Sequence, residues 1–299
     1  MTSPMDARGF RKLTARISLK TRKRMLRSRK FGKKESDERG ITEDFVVWLA
    51  RRSHGSVEAI HVDSGESEHG ADIELWLRGG GLLLGFRLQA KCLKPNSGSR
   101  KPGSYQSLFD TVGTSPDFQV DKLISNTPSP LIPAYLFYNG LPADPVIPSD
   151  CCSDNEWRKD LGWLGITVAP AQVVSLLKDI TPRRKTLGHV LPDSLPLPCI
   201  AYCENDPYSW HFPPGAMPLR AARTLDFIGV ENIIFIRDPI TSAGSEAVER
   251  AAEQEEFQIS DSYNDFPYLS QILEGNLSTD TEMPPVRYLM IWDAGLRQP

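Results

Sequence analysis

Residues 66–91, ESEHGADIELWLRGGGLLLGFRLQAK, constrain this chain more than any other stretch. Ile73, Leu75 and Leu77 alternate with Asp72, Glu74 and Trp76. Beyond three glycines, Leu82, Leu84, Phe86, Leu88 and Ala90 alternate with Leu83, Gly85, Arg87, Gln89 and Lys91. Period-two alternation on both sides of a Gly79-Gly80-Gly81 turn reads as a β-hairpin with one apolar and one polar face. A register that pairs Leu77 with Leu82, Leu75 with Leu84 and Ile73 with Phe86 keeps the apolar residues together, and a slip of one residue would scatter them. That register sets Asp72 opposite Arg87 and diagonal to Gln89. Diagonal neighbours lie roughly 7–8 Å apart, close enough for two side chains to share an ion.

Asp72 offers a carboxylate, Gln89 an amide oxygen and Lys91 an ammonium, all on the polar face. Oxygen donors of this kind suit a hard cation such as magnesium, which commonly takes one or two carboxylates completed by waters. The competing reading is an ordinary half-exposed hairpin whose polar face is solvated.

An Asp that begins one strand and a Gln89-Ala90-Lys91 run that ends the next resemble the core motif of the PD-(D/E)XK nuclease superfamily, the restriction-endonuclease-like fold. Ala71 stands where the motif often has Pro. Gln89 replaces the commoner Glu, as in the Mrr-like branch. The resemblance spans roughly residues 38–180. It implies an α/β chain with a restriction-endonuclease-like core, a mixed β-sheet flanked by helices, and says nothing about the rest, which reads as a C-terminal extension. The implied activity is a divalent-metal-dependent endonuclease that hydrolyses DNA, in defence against foreign DNA. The implied cofactor is Mg2+ or Mn2+ on Asp72 and Gln89, a hard cation that neutralises developing charge and acidifies a water in phosphodiester hydrolysis, with Lys91 catalytic, orienting the attacking water or stabilising negative charge. In this fold the first helix often carries a further acid at the metal, for which Glu43 is the first candidate and Glu38 the second. Such nucleases often act as dimers, so a homodimer is also implied. Gln89 keeps a non-catalytic nucleic-acid-binding or partner-binding module open, and the same residues would serve an RNase.

The remainder of the chain divides by charge and composition. From Arg8 to Lys34 there are 13 Lys or Arg and no Asp or Glu, while the rest holds 22 basic and 38 acidic residues. Residues 1–37 therefore read as a basic N-terminal arm, for which a polyanion is the natural partner. Arg22, Lys23, Arg24 and Arg27 are its candidate nucleic-acid contacts, and a solvated tail is the plainer alternative. Lys94, Arg100 and Lys101, in a turn-rich loop just past the hairpin, are further candidates.

Residues 41–53 read as an amphipathic helix with Thr42 as N-cap and Phe45, Val46, Leu49 and Ala50 as its buried stripe. Val57–Val62 reads as a strand, and Glu66 and Glu68 in the loop after it as optional ligands. Tyr105–Phe109 and Phe118–Ile124 read as helical, Pro133–Tyr138 as a buried strand, Gly165–Val168 as a strand and Ala169–Lys178 as a helix. Residues 38–180 then form the nuclease domain, and residues 181–299, which open on a proline-rich segment, a C-terminal extension or second small domain. The segments Asn232–Ile236 and Val286–Trp292 read as strands.

No apolar run suits a membrane span, no secretory segment stands at the start, and five cysteines, an odd number, argue against a disulfide framework. A cytoplasmic protein with no membrane partner is expected. Cys151, Cys152, Cys199 and Cys203 with His189 lack usual zinc spacing and read as ordinary thiols.

Overall fold

The computed structural model describes residues 7–30, 38–53, 56–62, 71–94, 103–105, 108–109, 111, 117–140, 161–179, 185–200, 216–227, 230–238, 245–274, 276, 278 and 281–293. The α-helices are α1 (Ala7–Lys30), α2 (Glu38–Arg52), α3 (Gln119–Ser125), α4 (Ala171–Leu176), α5 (Leu187–Val190), α6 (Met217–Phe227), α7 (Ser245–Gln254) and α8 (Pro267–Leu273). The strands are β1 (Val57–His61), β2 (Ile73–Gly79), β3 (Leu82–Cys92), β4 (Ser104–Tyr105), β5 (Ile132–Tyr138), β6 (Ile166–Pro170), β7 (Lys185–Thr186), β8 (Leu195–Pro196), β9 (Ile234–Arg237), β10 (Gln258–Ser260) and β11 (Tyr288–Asp293).

The protein has a mixed α/β fold built on one open sheet of nine strands, in the order β1-β11-β2-β3-β5-β6-β8 with β9 and β10 attached at the start of β3. β2 and β3 are antiparallel, β5 runs parallel to β3, and β11 runs parallel to β2. The C-terminal strand thus lies between β1 and β2, inside the sheet, and residues 181–299 contribute to the same sheet as the hairpin.

The hairpin is as expected in kind and shifted in register. Gly79 pairs with Leu82, so Leu77 meets Leu84, Leu75 meets Phe86 and Ile73 meets Leu88. Only Gly80 and Gly81 form the turn, at φ 61° and 78°, the pair of positive angles that a tight two-residue hairpin requires. The third glycine is drawn into the ladder. The shift is two residues, so every side chain keeps its face.

The polar face, however, is not solvated. Both strands are buried along their whole length. On one face Ile73, Leu75, Leu77, Leu82, Leu84 and Phe86 join a cluster with residues of α1, α2, α6 and α7. On the other, Trp76 and Leu83 meet Phe266, Leu269 and Ile272. The charges between them are paired: Arg87 with Glu74 at 2.8 Å, and Arg78 with Asp238 at 2.6 Å and Asp293 at 3.3 Å. Tyr268 also donates its hydroxyl to Glu74. Further hydrogen bonds support the buried pair, from Trp76 Nε1 to Glu74 at 2.8 Å and from Arg87 to the Asn126 carbonyl at 3.1 Å, although the Arg87 Nε has no partner among the described residues. Gly85 lies directly across from Trp76, and a Cβ there would come within 2.6 Å of the indole and 2.4 Å of Leu131. The glycine is what lets the indole lie flat across the strand.

The basic segment is a packed helix rather than a loose arm. In α1, Phe10, Leu13, Ile17 and Met25 are buried together with Thr14, Ser18 and Thr21. Burial of these four apolar side chains contributes on the order of 6–8 kcal/mol as an upper estimate. Phe10 meets Trp292 of β11 edge-on with ring centroids 4.4 Å apart. The helix presses on the 3-10 turn Leu161–Gly165 so closely that a Cβ on Gly165 would stand 2.0 Å from the Ser18 carbonyl oxygen.

Helix α2 begins one turn before the sequence suggests. Thr42 is not its cap. It sits inside the helix, with its Oγ1 donating to the Glu38 carbonyl at 2.9 Å and accepting from the Tyr138 hydroxyl at 3.1 Å. Tyr105 lies in a strand, Ser104–Tyr105 pairing with Lys185–Thr186, where a helix was expected. The expected element order across residues 41–178 is otherwise present, apart from these short additions.

Candidate active site

Asp72 stands at the entrance to β2, with its backbone N–H donating to the Leu88 carbonyl at 2.9 Å. The true register therefore sets it directly across from Gln89, and Arg87 goes to Glu74 instead. One oxygen of the Asp72 carboxylate, Oδ2, accepts from the Gln89 amide nitrogen and from the Ala90 backbone N–H at 2.8 Å. The other oxygen, Oδ1, lies 3.6 Å from an Arg287 guanidinium nitrogen. Lys91, next on the same face of β3, has its Nζ 3.8 Å from Glu38 Oε1. The second Glu38 oxygen accepts from the Cys92 backbone N–H at 2.9 Å.

The acid contributed by the first helix of the core is thus Glu38, and Glu43 does not join the group. Five residues apart on a helix, the two stand about 140° round its axis from one another, so α2 cannot aim both at one point. Glu43 is exposed, and its charge acts on Tyr288 rather than on Asp72. The earlier start of α2 is what holds Glu38 in the helix and fixes its direction.

Burial dominates the electrostatics. Asp72 is 3% exposed, Gln89 3% and Lys91 4%. Desolvation pushes the Asp72 carboxyl up from 3.8 to about 7, with the Glu38 charge adding to the rise. The Lys91 ammonium and the bonds from Ala90 and Gln89 oppose it. A further positive partner would offset the cost that burial places on this carboxylate's charge.

Gln89 contributes its amide in a defined sense. Its nitrogen faces Asp72, and its oxygen accepts from the Gln119 side chain at 3.0 Å. For the oxygen to join Asp72 as a ligand, the carboxamide must make a half-turn. Gln119, the first residue of α3, is thereby brought to the site. Arg287 was missed. It lies just before β11, and no local pattern marks it.

The remaining candidates are scattered. Lys94 is half-buried and pairs through its backbone with Ser104. Arg100, Lys101, Glu66 and Glu68 lie outside the described residues. Lys23 and Arg27 are exposed on α1. Arg24 is held by Asp44 and by the Gly40 carbonyl at 3.2 Å, and Arg22 is partly buried beside Gly165. Of the cysteines, Cys92 and Cys199 are buried, while Cys151, Cys152 and Cys203 lie outside the described residues. His189 is taken up by Thr186, whose backbone N–H donates to its Nδ1 at 3.1 Å.

Among the described residues no group of three or more His, Cys, Asp and Glu side chains could hold a metal. The oxygen donors of the Asp72 group are therefore two carboxylates and one amide. That set is what Mg2+ or Mn2+ takes when waters and phosphate complete its shell, and it would not suit zinc. Among the described residues no helix is long and apolar enough to cross a membrane.

The model of a family of unknown function (DUF6615) matches residues 10–287. No curated protein and no solved structure matches.

Proposed function

The chain belongs to that family of unknown function, so its activity is read from the site, and we propose that it is a divalent-metal-dependent endonuclease of the restriction-endonuclease-like type, acting on DNA in the cytoplasm, as a homodimer, in defence against foreign DNA. The observation that carries this reading is the meeting of Asp72, Gln89, Lys91 and Glu38 from three separate elements. Asp72, Glu38 and the turned Gln89 amide would hold Mg2+ or Mn2+. Such an ion supplies charge neutralisation and an acidified water. The Lys91 ammonium, beside Glu38, is placed to donate hydrogen bonds to a water or to a phosphate oxygen in line with it. Arg287 supplies a second fixed positive charge next to Asp72, and its guanidinium suits a phosphate oxygen.

A second reading has its own observation. Arg287 and the Gln89 nitrogen already occupy the oxygens of a carboxylate that is 3% exposed. A self-satisfied group of this kind also suits a non-catalytic nucleic-acid-binding or partner-binding module. The test is cleavage of DNA and of RNA with Mg2+ or Mn2+ by wild type, Asp72→Ala and Lys91→Ala. The nuclease reading expects Asp72→Ala to lose cleavage and ion-induced stabilisation, and Lys91→Ala to lose cleavage alone. Wild-type rates in both variants, or a wild type that cleaves neither polymer, would overturn it.

A further inference from the structure

The outer face of α1 carries Lys12, Arg16, Lys20, Lys23 and Arg27, all exposed. Spacings of four, four, three and four residues stack them on one side of the helix. Like charges at such spacings destabilise an isolated helix by a few tenths of a kcal/mol per pair. The packing of α1 does not require them, because the buried side is formed by Phe10, Leu13, Ile17 and Met25 with interleaved hydroxyls. Among the described residues, Lys12, Arg16, Lys23 and Arg27 have no carboxylate partner, and with Lys20, which lies over Trp48, they make a basic row roughly 22 Å long.

The ladder also borders a groove. Helices α1 and α2 run antiparallel: Arg24 meets Gly40 and Asp44, and Lys20 sits 5.0 Å over the Trp48 ring. Between them lies a cavity of about 380 Å³ lined by Lys12, Arg16 and Lys20 on one side and by Trp48 and Arg52 on the other. Beyond this cavity, the Arg27 end of the ladder lies toward the first turn of α2, where Glu38 reaches Lys91.

We infer that this ladder, with the groove it shares with Trp48 and Arg52, is a track for the phosphate backbone of a nucleic acid strand and leads it toward the Asp72 group. Successive cations repeat about every 6 Å along the helix, so the row meets a regular polyanion better than a single small anion. A membrane surface is disfavoured, because a helix that lies on a bilayer needs an exposed apolar side, and the apolar side of α1 is buried. At about 3.4 Å per nucleotide of one duplex strand the ladder spans about six nucleotides. The inference rests on the nucleic-acid reading of the Asp72 site and adds where the polymer lies and which residues hold it.

The experiment measures binding of DNA oligonucleotides of about 4 and about 12 nucleotides to the full chain, in chelator, across a salt series. The variant combines Lys12→Gln, Arg16→Gln, Lys23→Gln and Arg27→Gln, with Arg250→Gln, an exposed cation on α7, as control. For wild type the longer oligonucleotide binds more tightly. In the variant the slope of log affinity against log salt falls by roughly 0.7–0.9 per cation removed and the length advantage is lost. The control matches wild type. Should the fourfold variant fail to fold, Lys12→Gln and Lys23→Gln made singly each lower the slope by one such step.

An unchanged slope overturns the inference, as does binding of polyglutamate or anionic vesicles as tight as that of DNA. Cleavage is scored separately with Mg2+. A lowered slope in the variant with no cleavage by wild type keeps the track and removes the nuclease reading. Cleavage that depends on Asp72, with an unchanged slope, removes the track and keeps the nuclease.

Discussion

Asp72→Asn isolates the electrostatic character of the site without changing its shape. The folded-state carboxyl titrates at about 7 against 3.8 when unfolded, chiefly because burial disfavours its charge. A raised carboxyl binds its proton more tightly in the fold. Its contribution to stability is complete below the unfolded value and is lost as pH rises through the folded one. The window is therefore about pH 4 to 7, and the full span is on the order of 4 kcal/mol. Lowering the pH from 8 to 6 should return about 1.4 kcal/mol of it, and from 8 to 5 about 2.7 kcal/mol. Asparagine is neutral throughout and has no such dependence. Its oxygen in the Oδ2 position still accepts from Ala90 and from the Gln89 amide, and its nitrogen takes the Oδ1 position beside Arg287.

Urea unfolding of both proteins in chelator, at several pH values, gives the difference of differences, in which groups common to both cancel. The variant is expected to equal or exceed wild type near pH 8 and to lose that advantage by pH 5. Parallel profiles for the two proteins would refute the reasoning, since they would mean that Asp72 is charged in the fold at no cost. Adding Mg2+ near pH 8 extends the test. A bound ion stabilises the folded state by mass action, so wild type should gain and Asp72→Asn should not.

Gln89→Glu adds a charged ligand of nearly the same size and is expected to tighten Mg2+ binding and keep cleavage at low Mg2+. Gln89→Leu should lower Mg2+ affinity tenfold or more, and titration of both variants separates a ligand from a packing residue, for which leucine would be harmless and glutamate harmful. Gly165→Ala places a methyl against the Ser18 carbonyl and should cost about 1–3 kcal/mol as an overpacking strain, read by chemical denaturation. Since the clash lies under α1, hydrogen exchange in that helix should rise more than in β3.

The hairpin's in-and-out pattern could be read from sequence because side-chain facing depends only on parity. A register wrong by two residues, through Gly79 entering the ladder, left Asp72, Gln89 and Lys91 on one face as expected. Parity could not say what stands directly opposite, and so Arg87 belonged to Glu74 rather than Asp72. The stripe on α1 was hard to see because Thr14, Ser18 and Thr21 are buried in it. These small side chains allow the close approach to Gly165, yet they count as polar in any search for apolar periodicity.

Burial of the hairpin's polar face had no local sign at all. Arg87 answers Glu74 within the hairpin, but the other partners come from the far end of the chain: Asp238 and Asp293 for Arg78, the Tyr268 hydroxyl as a further donor to Glu74, and Arg287 for Asp72. They arrive because β11 is inserted beside β2, with the Arg287 and Tyr288 backbone N–H groups donating to the Asp72 carbonyl at 3.1 and 3.0 Å. The backbone bonds that complete the sheet at Asp72 therefore also close its carboxylate away from water. The raised Asp72 carboxyl is a consequence of that topology, since a hairpin exposed on one face would leave the same residue near its ordinary value. Motif residues alone specify which groups can meet. Whether they meet as a solvated surface or as a buried, chemically poised group is decided by a strand about two hundred residues later.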